Sequence, residues 1–280
     1  MSQGSAFTPA DEARIVDELT SIVSRAAAAI LTARQGALAT RAKADQSPVT
    51  AADEASEAVI LDGLARLMPG VAVVSEEAAG RSAPGPLGVQ FVLVDPLDGT
   101  REFIAGRDEF SVNLAIIASG RVQIGIVAAP AQGLIWRGIV GRGAERLNLA
   151  PGAPASAAQE RKPIRPRKAP SGGLVALVSR SHLDAETAAF VARLAPAEQI
   201  ASGSAIKFCR LAEGRADIYP RLSPTREWDV AAGHAVLAAA SGAVTTPEGA
   251  PLTYGNVAGE FRIPGFIACG DPELLSRVTR

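Results

Sequence analysis

The chain has 280 residues, 48% hydrophobic and 20% charged, a composition that excludes a disordered protein and supplies enough apolar chain for two lobes. Lys plus Arg number 28 against 29 Asp plus Glu, a net charge of -1, so no global basic field draws in nucleic acid or an anionic membrane. The longest apolar stretches, such as Ala26 to Leu31, fall far short of the roughly 20 residues that cross a bilayer.

The opening segment, MSQGSAFTPADEAR, carries neither a basic nor an apolar signal region, and the expected location is the cytoplasm. Apolar residues at Ile15, Leu19, Ile22, Ala26 and Ile30 predict a long helix, with Thr8 as its cap, Pro9 at its first position and Gly36 as its stop. Thr50 is expected to cap a second helix running to Leu67, with Asp53 in its first turn. Val71 to Val74 and Val89 to Val94 read as strands ending in carboxylates. Ser111 to Ala118, Val122 to Ala129 and Leu134 to Val140 read as an antiparallel meander.

Ala150 to Gly173, with the basic core RKPIRPRKAP, lacks periodicity and reads as a surface loop between lobes. Beyond it, strands at Leu174 to Ser179, Gln199 to Ala201, Ala216 to Tyr219 and Phe266 to Ala268 alternate with helices. Those helices are Ala185 to Leu194, Ala205 to Gly214, Asp229 to Ser241 and Glu273 to Val278, and the alternation predicts an α/β second lobe. The division is therefore 1–150, a connecting basic loop at 151–170, and 171–280.

Cys209 and Cys269 stand far apart without a CxxC pattern and are expected as buried free thiols. Two histidines, His182 and His234, exclude a multi-histidine metal site but leave oxygen-ligated hard cations open; His234, inside an Ala-rich helix, reads as packed and hydrogen-bonded.

The chemistry concentrates in DPLDGT, Asp95 to Thr100, where a strand stops at a carboxylate, Pro96 forces a turn and a second carboxylate follows. Gly99 and Thr100 offer backbone N–H groups to a phosphate. Alone, such a turn would be a solvated loop. Glu76 and Glu77 end another strand, and four carboxylates so close require a compensating cation, of which Mg2+ is the type suited to all-oxygen ligation. Asp229, in Glu227-Trp228-Asp229, begins a helix and by itself reads as an N-cap.

Together these elements resemble the inositol monophosphatase superfamily of Mg2+-dependent, lithium-sensitive phosphatases, whose signatures DPxDGT and WDxAAG stand here as DPLDGT and WDVAAG. The resemblance implies an αβαβα sandwich. It implies Glu76, Asp95, Asp98, Asp229 and the Leu97 carbonyl as ligands of about two or three Mg2+ ions. Asp53, Thr100 and Glu76 would be catalytic, through in-line attack of a metal-activated water. Leu97, Asp98, Gly99, Thr100 and Asp229 would contact the phosphate.

The segments KADQSPVTAAD, DPLDGTREF with DEFSVN after it, SRSH, GSAIKFCRLAEGRADIYPRL and PTREWDVAAGHAVL resemble one branch, the CysQ-type 3'(2'),5'-bisphosphate nucleotidases acting on 3'-phosphoadenosine 5'-phosphate. By that resemblance His182, Ser204, Lys207 and Arg221 hold the nucleotide; Arg101 stands where Lys is usual, and Ala205 where Ser is common. The rivals are an inositol or fructose-bisphosphate phosphatase of the same superfamily, a haloacid dehalogenase phosphatase with an Asp nucleophile, and a non-catalytic nucleotide sensor. The extra residue in DPLDGT argues against the dehalogenase. The expected partner is a small adenosine bisphosphate rather than a nucleic acid, with the chain a monomer or a dimer.

Overall fold

The computed structural model describes residues 9–35, 40–42, 48–79, 87–194 and 197–278. Thr8, Gly36 and the 43–47 part of KADQSPVTAAD lie outside them. The chain runs α1 (Pro9–Arg34), β1 (Thr40–Ala42), β2 (Pro48–Thr50), α2 (Ala51–Leu67), β3 (Ala72–Ser75), α3 (Glu76–Ala79), β4 (Gln90–Asp98) and α4 (Thr100–Ile104). The strands β5 (Ser111–Ala118), β6 (Arg121–Ala129), β7 (Leu134–Ile139), β8 (Gly143–Asn148) and β9 (Glu160–Ile164) follow. The remainder is β10 (Leu174–Ser179), α5 (Ala185–Arg193), β11 (Ala197–Ser202), α6 (Ile206–Ala212), β12 (Ile218–Arg221), β13 (Thr225–Arg226) and α7 (Glu227–Ala239). It closes with β14 (Ala243–Thr245), β15 (Arg262–Ile263), β16 (Phe266–Cys269) and α8 (Pro272–Val278).

Two large sheets organise these elements, one of seven strands in the order β3-β4-β5-β6-β7-β8-β9 and one of five in the order β11-β10-β12-β16-β14. Both faces of each sheet are covered, which is why the central strands read as continuous apolar runs. On β4, Val92 and Val94 join Leu19, Ile22 and Val23 of α1, whereas Phe91 and Leu93 point to the opposite face, toward Phe208 of α6 and Ala231 and Val236 of α7. The same alternation on β10 sends Leu177 to that middle layer and Ala176 and Val178 to Phe190 of α5 and Leu274 of α8. The layers are thus helix, sheet, helix, sheet, helix. Each fully buried Leu, Ile or Phe in them contributes about 1.5–3 kcal/mol.

Helix α7 fits the middle layer only because the sheet lacks a side chain beneath it: a Cβ on Gly125 of β6 would lie 2.3 Å from the Ala232 carbonyl oxygen. Although α7 comes late in the sequence, it packs on β5, β6 and β7 of the first sheet.

Three readings of the sequence are corrected. The basic stretch is not all loop: Glu160–Ile164 is the edge strand β9, paired antiparallel with β8. Pro163 conceals it from a pattern search, since proline interrupts a strand signal yet is tolerated at a sheet edge. Second, β4 does not stop at Asp95 but resumes at Asp98, across a bulge that sets Pro96 and Leu97 against Val112 alone. Third, α7 starts at Glu227, not Asp229. Both cysteines are buried free thiols. No helix among the described residues is long and apolar enough to cross a membrane.

Candidate active site

β3 and β4 are parallel with Ser75 opposite Val94, so the residues that follow, Glu76 and Asp95, emerge side by side at one sheet end. The bulge then turns the chain back. Pro96 has no N–H to place, the Leu97 N–H is held by Asp95 Oδ1 at 3.1 Å, and Ser56 of α2 donates to the Pro96 carbonyl at 2.7 Å. Gly99, at φ 89°, makes the left-handed step into α4 that a side chain would resist.

Asp229 reaches the same point from the middle layer. It is the third residue of α7, and its Oδ2 accepts from the Arg226 N–H at 3.2 Å and from the Thr225 hydroxyl. Carboxylate oxygens of Glu76, Asp95 and Asp229 lie within 4.8 Å of one another. Three anions at that spacing fit a hard cation and nothing apolar. Glu77 does not join them.

Asp98 stands beside this trio, with Oδ2 accepting from the Ala205 N–H at 2.6 Å and from Asn113 Nδ2 at 3.2 Å. Burial and then the negative charge of Asp229 raise its pKa to about 6, against Lys207, Asn113 and Ala205, which lower it. An aspartate so placed takes a proton readily in the absence of a cation, a second sign that the site suits Mg2+.

Asp53, in the first turn of α2, is buried, with Oδ2 accepting from the Thr50 N–H at 2.8 Å and the Thr50 hydroxyl at 2.7 Å. Its Oδ1 faces Thr100 Oγ1 at 3.3 Å, and that hydroxyl also lies 3.1 Å from the Leu97 carbonyl. Asp53 and Thr100, both expected as catalytic, thus meet beside the Leu97 carbonyl.

Glu76, Asp95, Asp98, Thr100 and Asp229 line a cleft of about 430 Å³ whose wall also carries Arg101, Glu102, His182, Ser204, Lys207 and Arg221. Ser204 adopts φ 49°, a strained conformation for a side-chain-bearing residue. Lys207 is buried, donates to the carbonyls of Ser202 and Ser204 at 3.2 and 2.7 Å, and sits over the Tyr219 ring. Burial lowers its pKa to about 8. His182 lies at the rim, its pKa held down by desolvation and then by Arg221 and Arg101. Arg221 donates to the Pro224 carbonyl, but its buried Nε has no hydrogen-bond partner. His234 is away from this chemistry, its Nδ1 2.7 Å from the Tyr254 hydroxyl, and burial lowers its pKa to about 4.

Sequence reasoning singled out the segments DPLDGTREF and DEFSVN but gave Asn113, Ser111 and Glu102 within them no role. The first two were findable: Ser and Asn at i and i+2 of an apolar strand put two polar groups on one buried face. Glu102 gave no such signal. The basic tract contributes no residue to the cleft; Arg161 lies near Asp17 and Glu145, Arg167 grips Asp217 at 2.8 and 2.7 Å, and Lys168 lies near Asp271.

A helical layer between two sheets, with Asp229 of that layer meeting Glu76 and Asp95 from the end of the first sheet, is the architecture of a metal-dependent phosphatase. The chain belongs to the inositol monophosphatase family, which it matches over residues 11–262. It is 39% identical to the 3'(2'),5'-bisphosphate nucleotidase CysQ of Escherichia coli (strain K12) over 255 residues, 90% of this chain and 98% of that one. Among solved structures it resembles CysQ from Bacteroides thetaiotaomicron, with a TM-score of 0.73 at 30% identity over 91% of this chain and 96% of that one. An inositol monophosphatase from Anabaena (Nostoc) aligns with a TM-score of 0.73 at 25% identity over 95% of each.

Proposed function

We propose that the chain is a cytoplasmic Mg2+-dependent 3'(2'),5'-bisphosphate nucleotidase that converts 3'-phosphoadenosine 5'-phosphate to AMP and phosphate. The observation that carries this reading is the set of cations that shares one cleft with the candidate metal ligands. Arg101, His182, Lys207 and Arg221 line it together with Glu76, Asp95, Asp98, Asp229 and the buried Glu102, and none of the four cations forms a salt bridge among the described residues. A monophosphate would answer only the metal end. A second phosphate answers the cationic wall and gives the buried Arg221 Nε an acceptor.

Glu76, Asp95, Asp98, Asp229 and the Leu97 carbonyl would hold the Mg2+ ions, about two or three in number. When bound, the ions act as Lewis acids, lowering the pKa of water and offsetting charge on the phosphoryl oxygens. The rest falls to the chain itself. Thr100 Oγ1 and Asp53 Oδ1 orient the attacking water, and Asp53 accepts its proton. The N–H groups of Gly99 and Thr100 hold the phosphate as it turns over, and the 3' oxygen leaves opposite the attacking water and takes up a proton from solvent. His182, Ser204, Lys207 and Arg221 retain the nucleoside and its remaining phosphate.

The test is phosphate release from 3'-phosphoadenosine 5'-phosphate, inositol 1-phosphate and fructose 1,6-bisphosphate in parallel, with Mg2+ and with chelator. Fast, chelator-sensitive turnover of the nucleotide is expected. Preference for either sugar phosphate overturns the substrate assignment, and tight nucleotide binding with no phosphate released at any Mg2+ concentration makes the protein a sensor.

A further inference from the structure

We infer that Glu102 is a positioning residue that sets the spacing between the metal end of the cleft and its cationic wall, and so the preference for a doubly phosphorylated substrate. This rests on the functional reading above.

β10 and β11 are parallel, with Ser179 opposite Ser202, so the turns that leave them lie at one sheet edge. One turn carries His182 and the other Ser204, the two wall residues farthest from any rigid element. Glu102 lies between these turns. It is two residues beyond Thr100, is 3% exposed, and accepts a hydrogen bond at Oε1 from the Ser181 hydroxyl. On its other side is Gly203, where a Cβ would come within 3.0 Å of Glu102 Cγ and 2.4 Å of the Glu109 carbonyl oxygen. The glycine lets the second turn rest directly on the segment that carries Glu102.

A neighbouring pair reinforces the arrangement from outside: Arg180 binds Glu109 Oε2 at 2.7 Å and the Ala201 carbonyl at 2.7 Å, joining both turns to the same segment. A buried carboxylate here costs desolvation, and a surface bridge such as Arg180 to Glu109 contributes little by itself. Glu102 is therefore better explained by what it holds. Through Ser181 it fixes the turn of His182, and through contact with Gly203 it fixes the turn of Ser204, both relative to the phosphate-binding turn at Gly99 and Thr100.

The test compares KM for 3'-phosphoadenosine 5'-phosphate with KM for adenosine 3'-phosphate, which lacks the second phosphate, in wild type and in Glu102→Ala, Glu102→Gln and Ser181→Ala. Glu102→Ala is expected to raise the first KM about tenfold relative to the second, Ser181→Ala less, and Glu102→Gln, which keeps the size and the acceptor oxygen, to restore the wild-type ratio. The double variant Glu102→Ala/Ser181→Ala should lose no more than Glu102→Ala alone.

An unchanged ratio in Glu102→Ala overturns the inference, as does an equal loss of kcat on both substrates, which would place Glu102 with the metal end. Should Glu102→Ala fail to fold, Ser181→Ala decides by the same ratio. If wild type turns over sugar phosphates but no nucleotide, the functional reading fails separately. The same ratio, taken for fructose 1,6-bisphosphate over inositol 1-phosphate, then decides the role of Glu102.

Discussion

The backbone N–H of Ala205 donates to Asp98 Oδ2 at 2.6 Å, joining the N-cap of α6 to the end of β4. Asp98 thereby serves two masters: one oxygen anchors the wall of the cleft and the other is left for a cation. Asp98→Asn keeps an acceptor for Ala205 but removes the charge, and phosphate release should fall by about 100-fold or more. Activity near wild type in metal-defined buffer would contradict the assignment of Asp98 as a ligand.

The raised pKa of Asp98 gives a signed prediction. Its folded value is about 6 against an ordinary 3.8, so the stability this group contributes is complete below 3.8 and is lost as pH rises through 6. At pH 7.5 the metal-free protein holds an ionised, partly desolvated Asp98 beside Asp229, and a cation relieves that strain. Mg2+ should raise the thermal midpoint more at pH 7.5 than at pH 5; equal shifts at the two pH values would refute the coupling.

Asp53 and Thr100 should act as a unit. Asp53→Asn leaves an acceptor for the Thr50 N–H but cannot take a proton, so kcat should drop by about 100-fold with little change in thermal stability. Thr100→Ser should retain most activity and Thr100→Ala should not. Single-turnover kinetics with each variant distinguishes a loss in the chemical step from a loss in binding.

Gly125→Ala tests how α7 is seated. The added methyl would meet the Ala232 carbonyl oxygen at 2.3 Å and Ala235 Cβ at 2.6 Å, so the helix must shift off the sheet and carry Asp229 with it. A loss of about 1–3 kcal/mol in urea unfolding is expected, together with weaker binding of Mg2+. Mg2+ titration followed by the fluorescence of Trp228, the neighbour of Asp229, reads the second effect. Unchanged unfolding would show that the contact has slack.

Much of the site was legible because its residues sit where local rules place them. Thr50 caps α2 and sets Asp53 in the first turn, and two apolar runs end where carboxylates begin. What the pattern could not show was convergence. Glu77 looked equivalent to Glu76, yet the partner that completes the trio is Asp229, which arrives from 153 positions beyond Glu76 on a helix that only tertiary packing orients. Its position in α7 was misread because Glu227 and Trp228 are already helical, so Asp229 is the third helical residue, bonded back to the N–H of the N-cap Arg226, and not the N-cap itself. β9 was missed because Pro163 and the run of charge look like loop, and only its partner β8 makes a strand of it.

The seating of α7 on the first sheet bears on how the enzyme comes into being. A fragment ending at Ala150 would hold the strands of Glu76, Asp95 and Asp98 but would present to water the apolar face on which Ala231, Ala235 and Val236 rest. Such an intermediate during synthesis would be sticky and chemically inert at once. Because Asp229 arrives on the element that seals that face, closing the core and completing the proposed cation site are a single event, and a nascent chain acquires the proposed chemistry only when it has lost its tendency to aggregate.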